Sequence, residues 1–362
     1  MKVLGIRREE KSWERRTPLV PQDVKNLIDT YDIEVFVQTS TTDNAVYPRI
    51  FSDGEYQDAG ATVVEELSMC DVILGVKEIP IAHLLPDKTY IYFSHTVKGQ
   101  PYNMPMLKCL LEKRCNLIDY ELVTDDLGHR LIFFGKYAGM AGMIDSLWAL
   151  GKRLQMEGYQ TPLSHVKMTH EYANFEEATA AIHQIGKELI SDGIPQELRP
   201  FVIGISGYGN VSKGAQLVFS HFPTIKITPE ELLTLGDKKA DTKKNVIYEV
   251  IFKEVDTVKP KDPNHIFDLQ DYFKHPEKYE SKFYQYVPHL TMLINCIYWV
   301  EQNPRLITKK ECTEYYRTHS HDKNGLRVVG DISCDIQNQI IRSMFMTWKP
   351  TLLLMDMRVT VL

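Results

Sequence analysis

Three ionisable side chains stand just beyond short apolar runs: Lys77 after Asp71 to Val76, His95 after Thr89 to Ser94, and Glu121 after Asn116 to Tyr120. A lysine, a histidine and a carboxylate brought together can give, take and steady protons near neutral pH, which a reaction at a carbonyl or an imine requires. Singly each has an ordinary alternative. Lys77-Glu78 reads equally as a solvated pair, His95 as a satisfied loop histidine, and Glu121 as a helix N-cap. A second group is a turn rather than a set of charges: Phe201-Val202-Ile203-Gly204-Ile205-Ser206-Gly207-Tyr208-Gly209-Asn210-Val211-Ser212-Lys213-Gly214. Gly207 and Gly209 occupy the first two glycine positions of a dinucleotide fingerprint, where the backbone turns sharply and then lets a pyrophosphate approach the first helical N–H groups. Ser212 holds the third position, and Gly214 lies two residues on. A glycine turn in an ordinary α/β domain is the plainer alternative.

These residues need a frame that sets strand ends side by side. Short β-branched runs alternate with segments of helical apolar spacing from the first strand at Lys2 to Ile6 onward, which predicts a mostly parallel sheet. Open α/β sheets bind ligands at the carboxyl edge of their strands, where all three side chains fall. Gly128 to Phe134 reads as an antiparallel return after the Asp125-Asp126 turn, and Tyr137-Ala138-Gly139-Met140-Ala141-Gly142-Met143 opens a long helix. Beyond the glycine turn, Thr224 to Thr228 is the expected second strand of the nucleotide fold. An NAD site would end that strand on an acid for the ribose hydroxyls. None stands there, and Lys226 is placed to meet a 2′-phosphate or else is a solvated strand residue, which favours NADP(H). Leu290 to Trp299 reads as a central strand continuing to Ile307, and Leu326 to Val329 as another.

The fold class that follows is α/β, with two doubly wound Rossmann-like domains and a cleft between them. Residues 1–140 form a substrate domain, 141–200 a linker helix and insert, 201–337 the dinucleotide domain, and 338–362 a divergent tail. At 362 residues the chain can bury two cores, and 43% hydrophobic with 25% charged residues is ordinary globular composition. A net charge of -6 argues against nucleic acid as a partner, and no apolar run is long enough to span a membrane. Six cysteines are scattered without metal-ligand or redox spacing, and His165 with His170, five apart, is a poor ligand pair, so no metal is expected. The chain enters its first strand almost at Met1 without a leader, and the expected location is cytoplasmic, or mitochondrial if a leader is missing.

Taken in order, the motifs resemble the lysine-ketoglutarate reductase half of the bifunctional aminoadipic semialdehyde synthases and, more distantly, the saccharopine and alanine dehydrogenases. The resemblance runs from Met1 to about Gln337. It is carried by Arg7-Arg8-Glu9, Trp13-Glu14-Arg15-Arg16-Thr17-Pro18-Leu19, Leu74-Gly75-Val76-Lys77-Glu78, Phe93-Ser94-His95-Thr96-Val97-Lys98 and Leu117-Ile118-Asp119-Tyr120-Glu121. Further on it is carried by the Tyr137 to Met143 and Gly207 to Gln216 segments, Leu293-Ile294-Asn295-Cys296-Ile297-Tyr298-Trp299 and Gly330-Asp331-Ile332-Ser333-Cys334-Asp335. The resemblance implies reductive condensation of L-lysine with 2-oxoglutarate, using NADPH, to give saccharopine. It implies Lys77 and His95 as the acid–base pair, Arg16 as the holder of a substrate carboxylate, and Glu78, Glu121 and Arg130 as groups that tune charge and orient substrate. Gly207, Gly209, Asn210, Val211, Ser212 and Lys226 would hold the cofactor, with Asp331 on its nicotinamide side. The NAD-linked lysine-forming enzyme and a non-catalytic binding module are the alternatives, and a homo-oligomer is compatible with all three.

The tail departs from the family pattern. Asn338 to Leu362 has no glycine and holds Met344, Met346, Met355 and Met357, which points to an altered reading frame or splice at this end.

Overall fold

The computed structural model describes residues 3–11, 14–40, 48–97, 99–235, 243–299, 301–319, 325–332 and 358–361. The chain divides into two compact units, Met1–Phe133 and Phe134–Leu362. Trp13, Lys98, Ser333 to Asp335 and the tail from Asn338 to Met357, all singled out from the sequence, lie outside the described residues.

In the first unit six short apolar runs become strands: β1 (Val3–Ile6), β2 (Glu34–Gln38), β3 (Thr62–Val64), β4 (Val72–Leu74), β5 (Thr89–Tyr92) and β6 (Asn116–Asp119). They form one sheet in the order β3-β2-β1-β4-β5-β6, and every pairing is parallel. This is the doubly wound order, whose ligand crevice opens beyond the carboxyl ends where the winding reverses, here between β1 and β4. The helices are α1 (Pro21–Tyr31), α2 (Asp53–Asp58) and α3 (Met104–Glu112). Proline at its start presets the first turn of α1, which buries Val24, while Ser52 caps α2 by accepting from the Glu55 amide. The antiparallel return expected from Gly128 to Phe134 shrinks to a single bridge between Thr124 and Arg130, next to which the Leu131 amide donates to the Val123 carbonyl at 2.9 Å.

The second unit begins with α4 (Gly135–Met156) and α5 (Phe175–Asp192). Next come β7 (Val202–Ser206), α6 (Asn210–Phe219), β8 (Thr224–Ile227), α7 (Pro229–Leu235) and β9 (Ile247–Phe252). A short excursion holds α8 (Glu254–Thr257), β10 (Val258–Pro260), α9 (Leu269–Lys274) and β11 (Tyr279–Ser281), with β10 and β11 antiparallel. The unit closes with β12 (Met292–Asn295), α10 (Lys309–His319), β13 (Val328–Asp331) and β14 (Arg358–Val361). Its sheet runs β14-β13-β12-β7-β9-β8, parallel except where β14 lies antiparallel on β13. β7 and β12 are buried along their whole length, as strands covered on both faces must be. α4 is apolar nearly all round and buries residues from Gly139 to Leu154 in the largest core cluster, so it is an interior helix.

Two expectations about this unit change. The apolar run from Leu290 to Trp299 is strand only over β12, since the Asn295 side chain turns back onto its own segment, accepting from the Ile297 amide, and Trp299 donates to the Asn303 carbonyl instead of extending a ladder. β9, which the sequence reading passed over, is the parallel neighbour of β7 on this side, and β8 is the edge strand beyond it. Among the described residues, no helix is long and apolar enough to cross a membrane.

Candidate active site

The first unit concentrates its ionisable groups where the carboxyl ends of β1, β4, β5 and β6 meet. β1 leads into Arg7, Arg8 and Glu9, β4 into Lys77 and Glu78, β5 into His95, and β6 into Glu121. His95 adopts φ +50, the left-handed region that a non-glycine residue enters only where its surroundings compel it. Its surroundings are specific. Asn103 donates to the Ser94 and His95 carbonyls at 3.1 and 3.3 Å, Ser94 hydroxyl donates to Asp119, and the imidazole stacks on Phe93 at 6.3 Å between centroids.

The turn so fixed aims His95 Nδ1 at Glu78 Oε1, 2.7 Å away, while Lys11 Nζ lies 3.7 Å from Glu78 Oε2. Burial works against the ionised form of Glu78, but the hydrogen bond and charge of His95, with Lys11 behind them, hold its carboxyl down at about 2. An ionised carboxylate only accepts, so His95 Nδ1 carries the proton of this bond and Nε2 is the ring nitrogen left outside it. Lys77 follows the same strand end. Its amide and that of Val76 both donate to the Glu9 carboxylate, at 3.0 and 2.8 Å, which fixes the backbone on either side of it. Burial pushes the Glu9 carboxyl above its usual range against the pull of Arg7 and these two amides.

Arg16 gives Nε and Nη2 to Glu14 at 2.8 and 2.6 Å. Burial opposes the charge on Glu14, yet Arg16 and the more distant Lys77 outweigh it and keep the carboxyl below its ordinary value. The edge of the guanidinium fork best suited to a substrate carboxylate is thus taken by a protein one. Glu121 sits in a single turn whose amide is held by Asp119 at 2.8 Å, and Arg130 Nη1 approaches its Oε1 at 4.0 Å. The structure therefore pairs Glu78 with His95, with Lys77 next to Glu78 in the chain, and sets Arg130 near Glu121 at the same edge. Arg7 and Arg8 were missed as site residues. Each has a buried Nη1 that makes no hydrogen bond among the described residues, and the signal was their position directly after β1.

In the second unit β7 ends in Gly207, at φ +91, where an added Cβ would stand 3.2 Å from the Cys296 carbonyl oxygen. Gly209 precedes α6, no side chain caps that helix, and a Cβ on Gly209 would meet nothing within 4 Å. The first amides of α6 are thus left without a side-chain cap beside an open Gly209, which fits a dinucleotide pyrophosphate. Ser212 is fully buried and accepts from Gln216 at 2.9 Å. Close packing falls instead to Gly214 and Gly139: a Cβ on either would stand 1.9 Å from a carbonyl oxygen, of Lys136 and Val211 respectively, so α4 and α6 touch backbone to backbone. At the neighbouring strand ends Ser206 hydroxyl donates to Asn295 Oδ1 at 2.8 Å, and Asn295 Nδ2 donates to Asp331 Oδ1 at 3.0 Å. That network fixes Asp331 two strands out from the end of β7. Lys226 does not join it: on edge strand β8 its ammonium is 70% exposed and lies 3.9 Å from Glu249 Oε2.

Residues 5–141 match the family model for the alanine dehydrogenase/PNT N-terminal domain. Alpha-aminoadipic semialdehyde synthase of Arabidopsis thaliana is 38% identical over 355 residues, covering 93% of this chain and 32% of that protein. The mitochondrial alpha-aminoadipic semialdehyde synthase of Bos taurus is 38% identical over 311 residues, 85% of this chain and 32% of that protein. Saccharopine dehydrogenase [NAD(+), L-lysine-forming] of Yarrowia lipolytica is 30% identical over 217 residues, 59% of this chain and 55% of that protein. The chain spans about a third of the length of the semialdehyde synthases it matches. Among solved structures, an L-alanine dehydrogenase superposes with a TM-score of 0.51 at 16% identity, covering 86% of this chain and 70% of that one, a likeness of fold.

Proposed function

Because this chain belongs to the saccharopine dehydrogenase and alanine dehydrogenase superfamily and matches the reductase region of the aminoadipic semialdehyde synthases, we propose that it condenses L-lysine with 2-oxoglutarate reductively to saccharopine. The observation that carries the proposal is the His95 to Glu78 pair, 2.7 Å apart beside Lys77 at the carboxyl edge of a parallel sheet. Amine addition to a ketone, loss of water and reduction each move a proton, and two groups of different basicity suit that sequence. Glu78 stays ionised, keeps His95 in one tautomer and stabilises the imidazolium when Nε2 takes a proton. Lys77, fixed through its amide by Glu9, is the partner that gives and takes a proton at the carbonyl oxygen. Arg7, Arg8 and Arg16 supply the cationic edge for the substrates' carboxylates, and Glu121 with Arg130 flanks it.

A bound nicotinamide dinucleotide supplies the hydride. Gly207, Gly209 and the α6 amides of Asn210, Val211 and Ser212 would hold its pyrophosphate, and Asp331, fixed by Asn295, its nicotinamide side. NADPH as the reductant rests on the bare end of β8 and on Lys226. NADH is the second reading, favoured by the carboxylate that follows β9. The domain reading remains that of a substrate domain followed by a dinucleotide domain. The location proposed is the cytoplasm, or the mitochondrion that the bovine relative's name gives, and fractionation of a tagged chain distinguishes the two.

The test is oxidation of NADPH and of NADH at about 340 nm by the purified chain given both substrates or each alone. Oxidation that needs both L-lysine and 2-oxoglutarate is the expected result. A folded chain that binds dinucleotide and stays silent with both would reduce it to a binding module.

A further inference from the structure

Asparagine at the start of a helix ordinarily turns its side chain onto the helix's own unpaired amides. Asn103 holds that place on α3, its carbonyl accepting from the Leu107 amide at 3.2 Å, yet no side-chain bond caps the helix. Its carboxamide is engaged elsewhere. Nδ2 donates to the Ser94 carbonyl at 3.1 Å and to the His95 carbonyl at 3.3 Å, and it lies 3.4 Å from Glu78 Oε1, the same oxygen that His95 Nδ1 meets at 2.7 Å. The two hydrogens of one nitrogen thus serve three acceptors, the carbonyls on either side of the His95 Cα and the carboxylate that holds its ring. Asn103 is 7% exposed, so water does not stand in for these bonds.

The His95 backbone needs such a hold. At φ +50 a residue with a Cβ persists only where its surroundings impose the conformation. Asp119 fixes the residue before it, accepting from the Ser94 hydroxyl and, at 3.3 Å, from the Ser94 amide. Among the described residues, the carbonyl of His95 itself accepts from Asn103. Lys11 lies by the other oxygen of Glu78, at 3.7 Å from Oε2, which leaves Asn103 as the neutral donor beside the oxygen shared with His95. Because α3 goes without its cap, the placement serves the turn and not the helix.

We propose that Asn103 is a positioning residue for proton transfer: by holding the His95 backbone and the Glu78 oxygen together, it keeps the bond between them short and sets the bearing of Nε2. It acts through His95 and not on substrate. This rests on the reading that His95 moves a proton in turnover.

Asn103→Ser separates this role from stability, because serine caps a helix about as well as asparagine and is too short to reach the three acceptors. Asn103→Asp is the second variant, an equally good cap that accepts where asparagine donates. Two readouts are taken on the full chain beside its melting temperature. One is the Nδ1 proton of His95, seen by NMR with isotope-labelled imidazole and assigned by its loss in His95→Gln. The other is steady-state turnover with L-lysine, 2-oxoglutarate and a reduced nicotinamide dinucleotide. In both variants the Nδ1 proton signal is expected to weaken or vanish through faster exchange with water, and kcat to fall about tenfold to a hundredfold. The KM of each substrate and the melting temperature are expected to change little. A signal as sharp in both variants as in the wild type overturns the inference, as does a raised KM with kcat intact. A signal lost only together with a lowered melting temperature in both variants also overturns it and reduces Asn103 to a structural fastening. A wild-type chain that never turns over, and whose Nδ1 proton signal is still lost in the variants, refutes the condensation reaction and upholds the role of Asn103 in the pair.

Discussion

Glu78→Gln tests whether the carboxylate at the end of β4 is held ionised by His95 and Lys11. The wild-type carboxyl is drawn from 4.5 down to about 2, and Glu78 is only 17% exposed, so little solvent screening intervenes. At about 1.4 kcal/mol per pH unit, that gap is on the order of 3 kcal/mol of preference for the ionised form in the folded unit. Its sign is that of a depressed acid: the contribution is whole above the unfolded value of 4.5 and is lost as pH falls through about 2. Glutamine carries no such dependence. Between about pH 6 and about pH 3 the stability difference between wild type and variant should shrink by roughly 2 kcal/mol. Denaturant-dependent hydrogen exchange of peptides covering β4 and β5 reads the first unit without the second. A difference equal at both ends of that pH range would refute the pairing of Glu78 with His95.

The other expectations address chemistry and packing in turn. Lys77→Met and His95→Gln should each lower turnover by about a hundredfold or more and leave dinucleotide affinity unchanged; a smaller loss in either removes that residue from the proton path. Gly139→Ala drives a methyl group into the Val211 carbonyl, and should cost about 1–3 kcal/mol, seen as a lower melting temperature together with weaker dinucleotide binding. Asn295→Ala leaves the Ser206 hydroxyl and the Asp331 carboxylate without their shared partner, and a loss of about 1–3 kcal/mol in urea unfolding is expected.

The gathering of charged groups at the carboxyl edge of the first sheet was legible because the signal is local. In the first unit Lys77 and His95 each lie three residues past a short apolar strand and Glu121 two past another, so the three could be set on one rim from spacing. The glycine turn was legible for the same reason. Strand order is a different kind of fact. β9 carries Glu249 in its middle and follows a highly charged stretch, so its periodicity was masked, and chain order was taken for spatial order. In the structure Glu249 is buried beside the Lys226 ammonium, a long-range pairing that no window of sequence displays. The engagement of Arg16 was likewise hidden from the sequence. A guanidinium two residues from a glutamate shows its type and not its engagement, and Glu14 takes the fork.

The order β7-β9-β8 also bears on how the second unit is made. β8 leaves the ribosome before β9, yet β9 is its sole neighbour in the sheet, with Thr224 opposite Ile247 and Ile227 opposite Val250. At about 5–20 residues per second, β8 waits on the order of seconds as an unpaired strand, open to pairing with another nascent chain. Lys226, the charge in the middle of that strand, keeps the edge from pairing with copies of itself during the wait, as edge lysines do in finished sheets.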